Sequence, residues 1–193
     1  MMKLLPLVFL STAAIAHAYY TITVYAPREP TIHDKEIHAR EGTFIIGAGA
    51  PSTHCGLDDR RQCPDGLSTK VNENMTALAA MVPGGQSIHV ENDGIVSYSP
   101  YGHTNYHPPG SKVGGFRMAH VVSQCSTDVW VFVWQPDDGV HGLWACGTEG
   151  RWPISHRAVL KAATVRFRGR GCLEVEGLKV HMSGDGFGAW AYD

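Results

Sequence analysis

Apolar and polar positions alternate over short distances along this chain. Tyr20-Thr-Ile-Thr-Val-Tyr25 puts Ile22 and Val24 opposite the threonines, the period-2 signature of a half-buried strand. Gly42-Thr-Phe-Ile-Ile-Gly47 reads as a second strand, and residues 67–71 and 77–82 read as extended until Pro83-Gly84-Gly85 stops them. Gln86-Ser-Ile-His-Val90 then turns through Asn92-Asp93-Gly94 into residues 95–98, a hairpin signal because Asp-Gly tolerates the positive φ of a tight turn. In Asp128-Val-Trp-Val-Phe-Val-Trp134 the aromatic residues Trp130, Phe132 and Trp134 share one face and three valines the other. A strand apolar on both faces belongs at the centre of a sheet, so Trp130 and Trp134 are expected in the core, as is Trp144 beside Cys146. Pro136-Asp137-Asp138-Gly139 should turn this strand back into Leu143-Trp-Ala-Cys146. Residues 155–163 carry a weak helical period. Further strands are expected at 165–168, 172–176, 178–181 and 187–192, and residues 99–115 form the longest irregular stretch.

Composition sharpens this picture. The 22 glycines and 11 prolines have no period, which predicts many short strands joined by tight turns. The expected class is all-β, a single-domain antiparallel β-sandwich or barrel. Hydrophobic residues at 44% and charged residues at 18% describe a chain that buries a core. A formal net charge of −2 points to no nucleic-acid partner.

The first residues, Met1-Met2-Lys3 followed by an apolar stretch to Ile15 and small residues at Ala16 and Ala18, read as a secretory signal peptide. Its apolar part falls short of the roughly 20 residues that span a bilayer, and no later stretch comes closer, so no membrane partner is expected. We expect a signal peptide at residues 1–18 and a secreted domain at 19–193, although a cut after Ala16 meets the small-x-small rule equally through Ala14. An oxidising compartment favours pairing cysteines, and with five of them one is left over. Cys55 and Cys63 bracket Asp58, Asp59, Arg60 and Arg61, where a short bridge would staple charged chain, and this is the first pairing expected. Asn74-Met75-Thr76 is an N-glycosylation acceptor in a polar stretch between strands.

Several segments together resemble the PhiA-like, phialide-associated family of fungal cell-wall proteins, which also includes secreted IgE-binding antigens. They are Gly42-Thr-Phe-Ile-Ile-Gly47, the loop from Cys55 closing in Cys63-Pro64-Asp65-Gly66, Val82-Pro83-Gly84-Gly85-Gln86 with Asp93-Gly94, Trp144-Ala145-Cys146, and Cys172-Leu173 with Ala189-Trp190, in matching order. The resemblance covers most of the chain from about Thr21 onward. It implies a small secreted β-protein of filamentous fungi, located extracellularly or in the cell wall, without an assigned enzymatic activity. It also implies two bridges, Cys55 with Cys63 and Cys146 with Cys172. Cys125 and the His/Tyr/Pro stretch near His103 fall outside the shared pattern.

Sharper chemistry has candidates, each with a plainer reading beside it. His103 and His107 in the long loop lack the fixed geometry of a helical pair, and we read them as surface histidines. A cut after Ala16 would expose His17, whose amine and imidazole suit Cu(II) in the manner of copper-dependent polysaccharide oxidases. The resemblance begins after that position, and we expect no cofactor and no metal. Tyr101, Tyr106 and Trp152 are the candidates for an exposed carbohydrate contact. Arg166, Arg168 and Arg170 would line one face of a strand, most simply as charges that protect a sheet edge. There is no Gly-x-Ser-x-Gly elbow, and Asp137, Asp138, Glu149, Glu174 and Glu176 cannot be paired from sequence. The leading expectation is therefore a non-catalytic secreted fungal protein, antigen-like and a possible effector if the fungus lives on a plant. Its partners would be a cell-wall polysaccharide or a host extracellular protein. A carbohydrate-binding module is the runner-up.

Overall fold

The computed structural model describes residues 18–103, 105–122, 128–147, 157–184 and 186–193. The strands are β1 Tyr20–Tyr25, β2 Ile37–Arg40, β3 Thr43–Ile46, β4 Thr53–His54, β5 Ala77–Leu78, β6 Gln86–Val90, β7 Val96–Tyr98 and β8 Lys112–Val113. They continue with β9 Phe116–Val121, β10 Val129–Trp134, β11 Leu143–Gly147, β12 Ala158–Ala162, β13 Leu173–Val175, β14 Gly177–Met182 and β15 Ala191–Tyr192. The fold is all-β. A four-stranded sheet runs β1-β14-β10-β9, and a larger sheet runs β13-β11-β12-β3-β7-β6-β5, with β2 on β3 and β8 on β6. The named ladders are antiparallel. Ile22, Val24, Phe132, Trp134 and Leu178 of the smaller sheet pack with Phe44, Ile46, Ile88, Leu143, Ala145 and Leu160 of the larger in one apolar core. Trp134 adds a polar tie, its Nε1 donating to the Ala163 carbonyl at 2.8 Å.

Sequence alternation sets several of these elements. β1 and β6 fall on the residues expected, and β6 joins β7 through a turn in which Gly94 has φ 90°. Two disulfides close. Cys55 and Cys63 lie 6.1 Å apart at Cα and staple a single 3₁₀ turn, Arg60–Gln62, in which the Asp59 carboxylate accepts the Arg61 amide. Cys146 and Cys172 lie 4.5 Å apart at Cα and continue the β11–β13 ladder beyond the Ala145–Leu173 pair. Cys125 lies outside the described residues, as do residues 1–17 of the expected leader, including His17.

Four expectations need correction. The weak helix at 155–163 is strand β12 in its described part, because alternate residues from Ala158 to Ala162 are buried between β11 and β3. Residues 165–168 form no strand: the Thr164 hydroxyl accepts the amides of Arg166 and Phe167 and folds the chain into a tight loop, so Arg166, Arg168 and Arg170 do not line a sheet edge. The turn after β10 does not return the chain alongside it; β11 crosses to the other sheet and pairs with β12 and β13. Trp130 is 53% exposed, not core. Its row of the inner face is covered at Ile22 and opens toward the edge strand β9, where Trp130 packs instead on His120 at 4.8 Å between ring centres.

Candidate functional site

Three partly exposed aromatic rings come together where chain segments far apart in sequence meet. β4 and β15 pair, Ala191 opposite His54 and Tyr192 opposite Thr53. Trp190, just before β15, is held by its main chain: its carbonyl accepts the Val82 amide at 2.8 Å, while that of Ala189 accepts the Met81 amide at 3.0 Å. Its indole meets the His54 imidazole at 5.1 Å and the Tyr101 ring at 6.3 Å, and His54 meets Tyr101 edge-on at 5.1 Å. The disulfide loop backs this cluster. A methyl added at Gly56 would lie 2.6 Å from Trp190 Cη2, so backbone rests against the indole where a larger residue would not fit.

Beside the rings opens a cleft of about 380 Å³ lined by Thr53, His54, Arg60, Asp65 and Trp190. Asp65 Oδ1 accepts the Leu67 amide at 3.1 Å, which fixes the carboxylate and leaves Oδ2 as an acceptor. Arg61 is spent on Asp59, with contacts of 2.9 and 3.1 Å, whereas Arg60 makes no ion pair among the described residues. The carboxylate of Asp193 lies 3.7 Å from His54 Nδ1. One arginine, the Asp65 carboxylate and an aromatic wall thus line a shallow concavity, with the Asp193 carboxylate beside its imidazole, an arrangement suited to orienting a ligand.

Of the residues singled out in the sequence, Tyr101 belongs to this cluster and is 46% exposed. Tyr106 is exposed on the same long loop, its amide donating to the His103 carbonyl, and no ring contact links it to Trp190. Trp152 lies outside the described residues. His107 packs not on His103 but on the buried His89, at 6.1 Å between ring centres. Among the described residues no three His, Cys, Asp or Glu side chains converge as a metal site. Burial holds the His89 imidazole below its ordinary pKa; Glu91 and the Ser87 main chain oppose the shift, and His107 adds to it.

The carboxylates divide between two places. Asp137 pairs with Arg117, and Asp138 with Lys112, whose hydrogen bond holds that carboxyl below the usual range. Glu174 and Glu176 stand on the rim of a second cleft, about 330 Å³, between the ends of β10, β11 and β13, and Glu176 meets Arg28 at 3.6 Å. Glu149 lies outside the described residues. Asn74 is exposed, and its Oδ1 accepts the Thr76 hydroxyl at 2.7 Å.

Sequence reading missed Trp190 and His54 as neighbours of Tyr101, and Arg60 and Asp65 as lining of the cleft beside them. The usable signal was the bracketing of Arg60 by Cys55 and Cys63, but the partner strand β15 lies at the far end of the chain.

Comparison with known proteins gives one informative relative. Over 172 residues the chain is 27% identical to a protein of Arthroderma benhamiae described as an uncharacterized secreted protein, covering 89% of this chain and 84% of that one. No family model matches the chain. No solved structure matches it either. The chain is therefore distantly related to a secreted fungal protein, and its two disulfides are consistent with an extracellular setting.

Proposed function

We propose that the chain acts outside the cell as a non-catalytic component of the fungal wall or its surroundings, of the PhiA-like kind. The observation that carries this reading is the build of the aromatic cleft. Its acid, Asp65, accepts a main-chain amide, and its imidazole, His54, is held between two rings and beside the Asp193 carboxylate. Groups fixed in this way hold a ligand in place. The order of the shared motifs and the secreted relative support the location, and the disulfides support persistence there.

Fractionating cultures of the producing organism tests the proposal. The protein is expected in the wall and medium, and detection in the cytosol alone would overturn it. N-terminal sequencing of the same material separates this reading from the copper-oxidase alternative. A start at Tyr19 is expected, whereas a start at His17 would restore the copper ligand.

A further inference from the structure

We infer that the cleft between the Cys55–Cys63 loop and β15 is a binding site for a neutral polysaccharide chain, with Trp190 and Tyr101 as stacking platforms and Arg60 and Asp65 as hydroxyl-orienting groups. The inference rests on the extracellular reading above and names the ligand class that the cleft would take.

Three features select that class. Pyranose rings present an apolar C–H face and a rim of hydroxyls, so their sites combine an aromatic wall with a few fixed donors and acceptors. Here the wall is the Trp190 indole, fixed by Gly56 behind it, with His54 and Tyr101 extending it toward solvent. The donors are the Arg60 guanidinium and the Thr53 hydroxyl, and the acceptor is Asp65 Oδ2. Charge then discriminates among polymers. One arginine faces one aspartate at the cleft, and Asp193 adds a second carboxylate beside His54. That balance offers no net attraction to a polyanion, so a neutral hexopyranose polymer fits better than an acidic one. Tyr101 lies at the exposed end of the aromatic wall, which suits an extended chain more than a single sugar enclosed on all sides.

The test is titration of the intact secreted protein with laminarihexaose, chitohexaose and mannan, with polygalacturonate as the anionic comparison. Saturable binding to at least one neutral glycan and none to polygalacturonate is expected. Tyr101→Ala should weaken binding about fivefold, the scale of one lost aromatic contact. Arg60→Ala should weaken it about tenfold, the scale of a lost charged hydrogen bond. Both side chains are exposed, so melting temperatures should stay at the wild-type value, and Trp190→Phe should retain binding that Trp190→Ala loses. Absence of saturable binding to every neutral glycan, preference for polygalacturonate, or wild-type affinity in both Tyr101→Ala and Arg60→Ala would overturn the site. The two readings fail separately. A cytosolic location with intact binding sinks the extracellular role alone, whereas wall retention untouched by Tyr101→Ala and Arg60→Ala sinks the cleft alone.

Discussion

Met75 takes φ 51°, a left-handed conformation unusual for a side chain of its size, yet it is fully buried in the core. The cost is offset locally: Asn72 Oδ1 accepts the amides of Thr76 and Ala77, and Asn72 Nδ2 donates to the Thr76 hydroxyl. With Met75 turned inward as an anchor, exposed Asn74 stands at the surface, joined to Thr76. Native material should therefore lose mass on N-glycosidase treatment, and Asn74→Gln should abolish that loss while costing at most about 1 kcal/mol of stability, because the hydrogen bond it disturbs is exposed. His89 makes a different residue-scale prediction. It is 3% exposed in β6, its Nδ1 has no hydrogen-bond partner among the described residues, and burial holds it below its ordinary value of 6.5. The unfolded chain thus takes up a proton that the folded chain resists, so this contribution to stability is present above pH 6.5 and lost as the pH falls through it. Melting temperature measured from pH 8 down to pH 5 should fall across that window, and should fall less in His89→Gln.

Elements were legible in the sequence where local pattern and sheet position agree. β1, β3, β6 and β10 alternate or run apolar as their neighbours require, and they were read within a residue or two. β12 was not, because Ala, Leu and Lys all favour helix and only its flanking strands β11 and β3 make the strand the better state. Trp130 was misplaced for the complementary reason: a period gives the face a residue occupies but not how far the opposing sheet reaches over that face. At the site, Tyr101 was legible as an aromatic residue in a long loop, while Trp190 and His54 meet only through the β4–β15 pair, which no local pattern encodes. The disulfides permit a graded test at this scale. Their loops differ, with sequence separations of 8 and 26, and loop-closure entropy puts both near 2 to 4 kcal/mol with the longer bridge worth more. Cys172→Ser should accordingly lower the denaturation midpoint more than Cys63→Ser. Cys63→Ser should instead loosen the loop behind Trp190.

In the molecule as a whole, the contacts that close the fold are long-range. β1 pairs along its full length with β14, Tyr20 opposite Met182 through Tyr25 opposite Gly177. Ile22 and Val24 of that strand are buried, each worth about 1.5 to 3 kcal/mol, against a typical total stability of about 5 to 15 kcal/mol. A chain shortened to begin at Ala26 should therefore lose most of its stability, with a broad thermal transition in place of a cooperative one in calorimetry. The same pairing also has a meaning in time. β1 leaves the ribosome early and meets Glu36 and Val71 through isolated bridges, but its full ladder partner β14 follows only roughly 160 residues later, about 8 to 30 s at ordinary translation speeds. Throughout that delay the β1-β14-β10-β9 sheet cannot assemble, so Asn74 is synthesised well before that sheet closes.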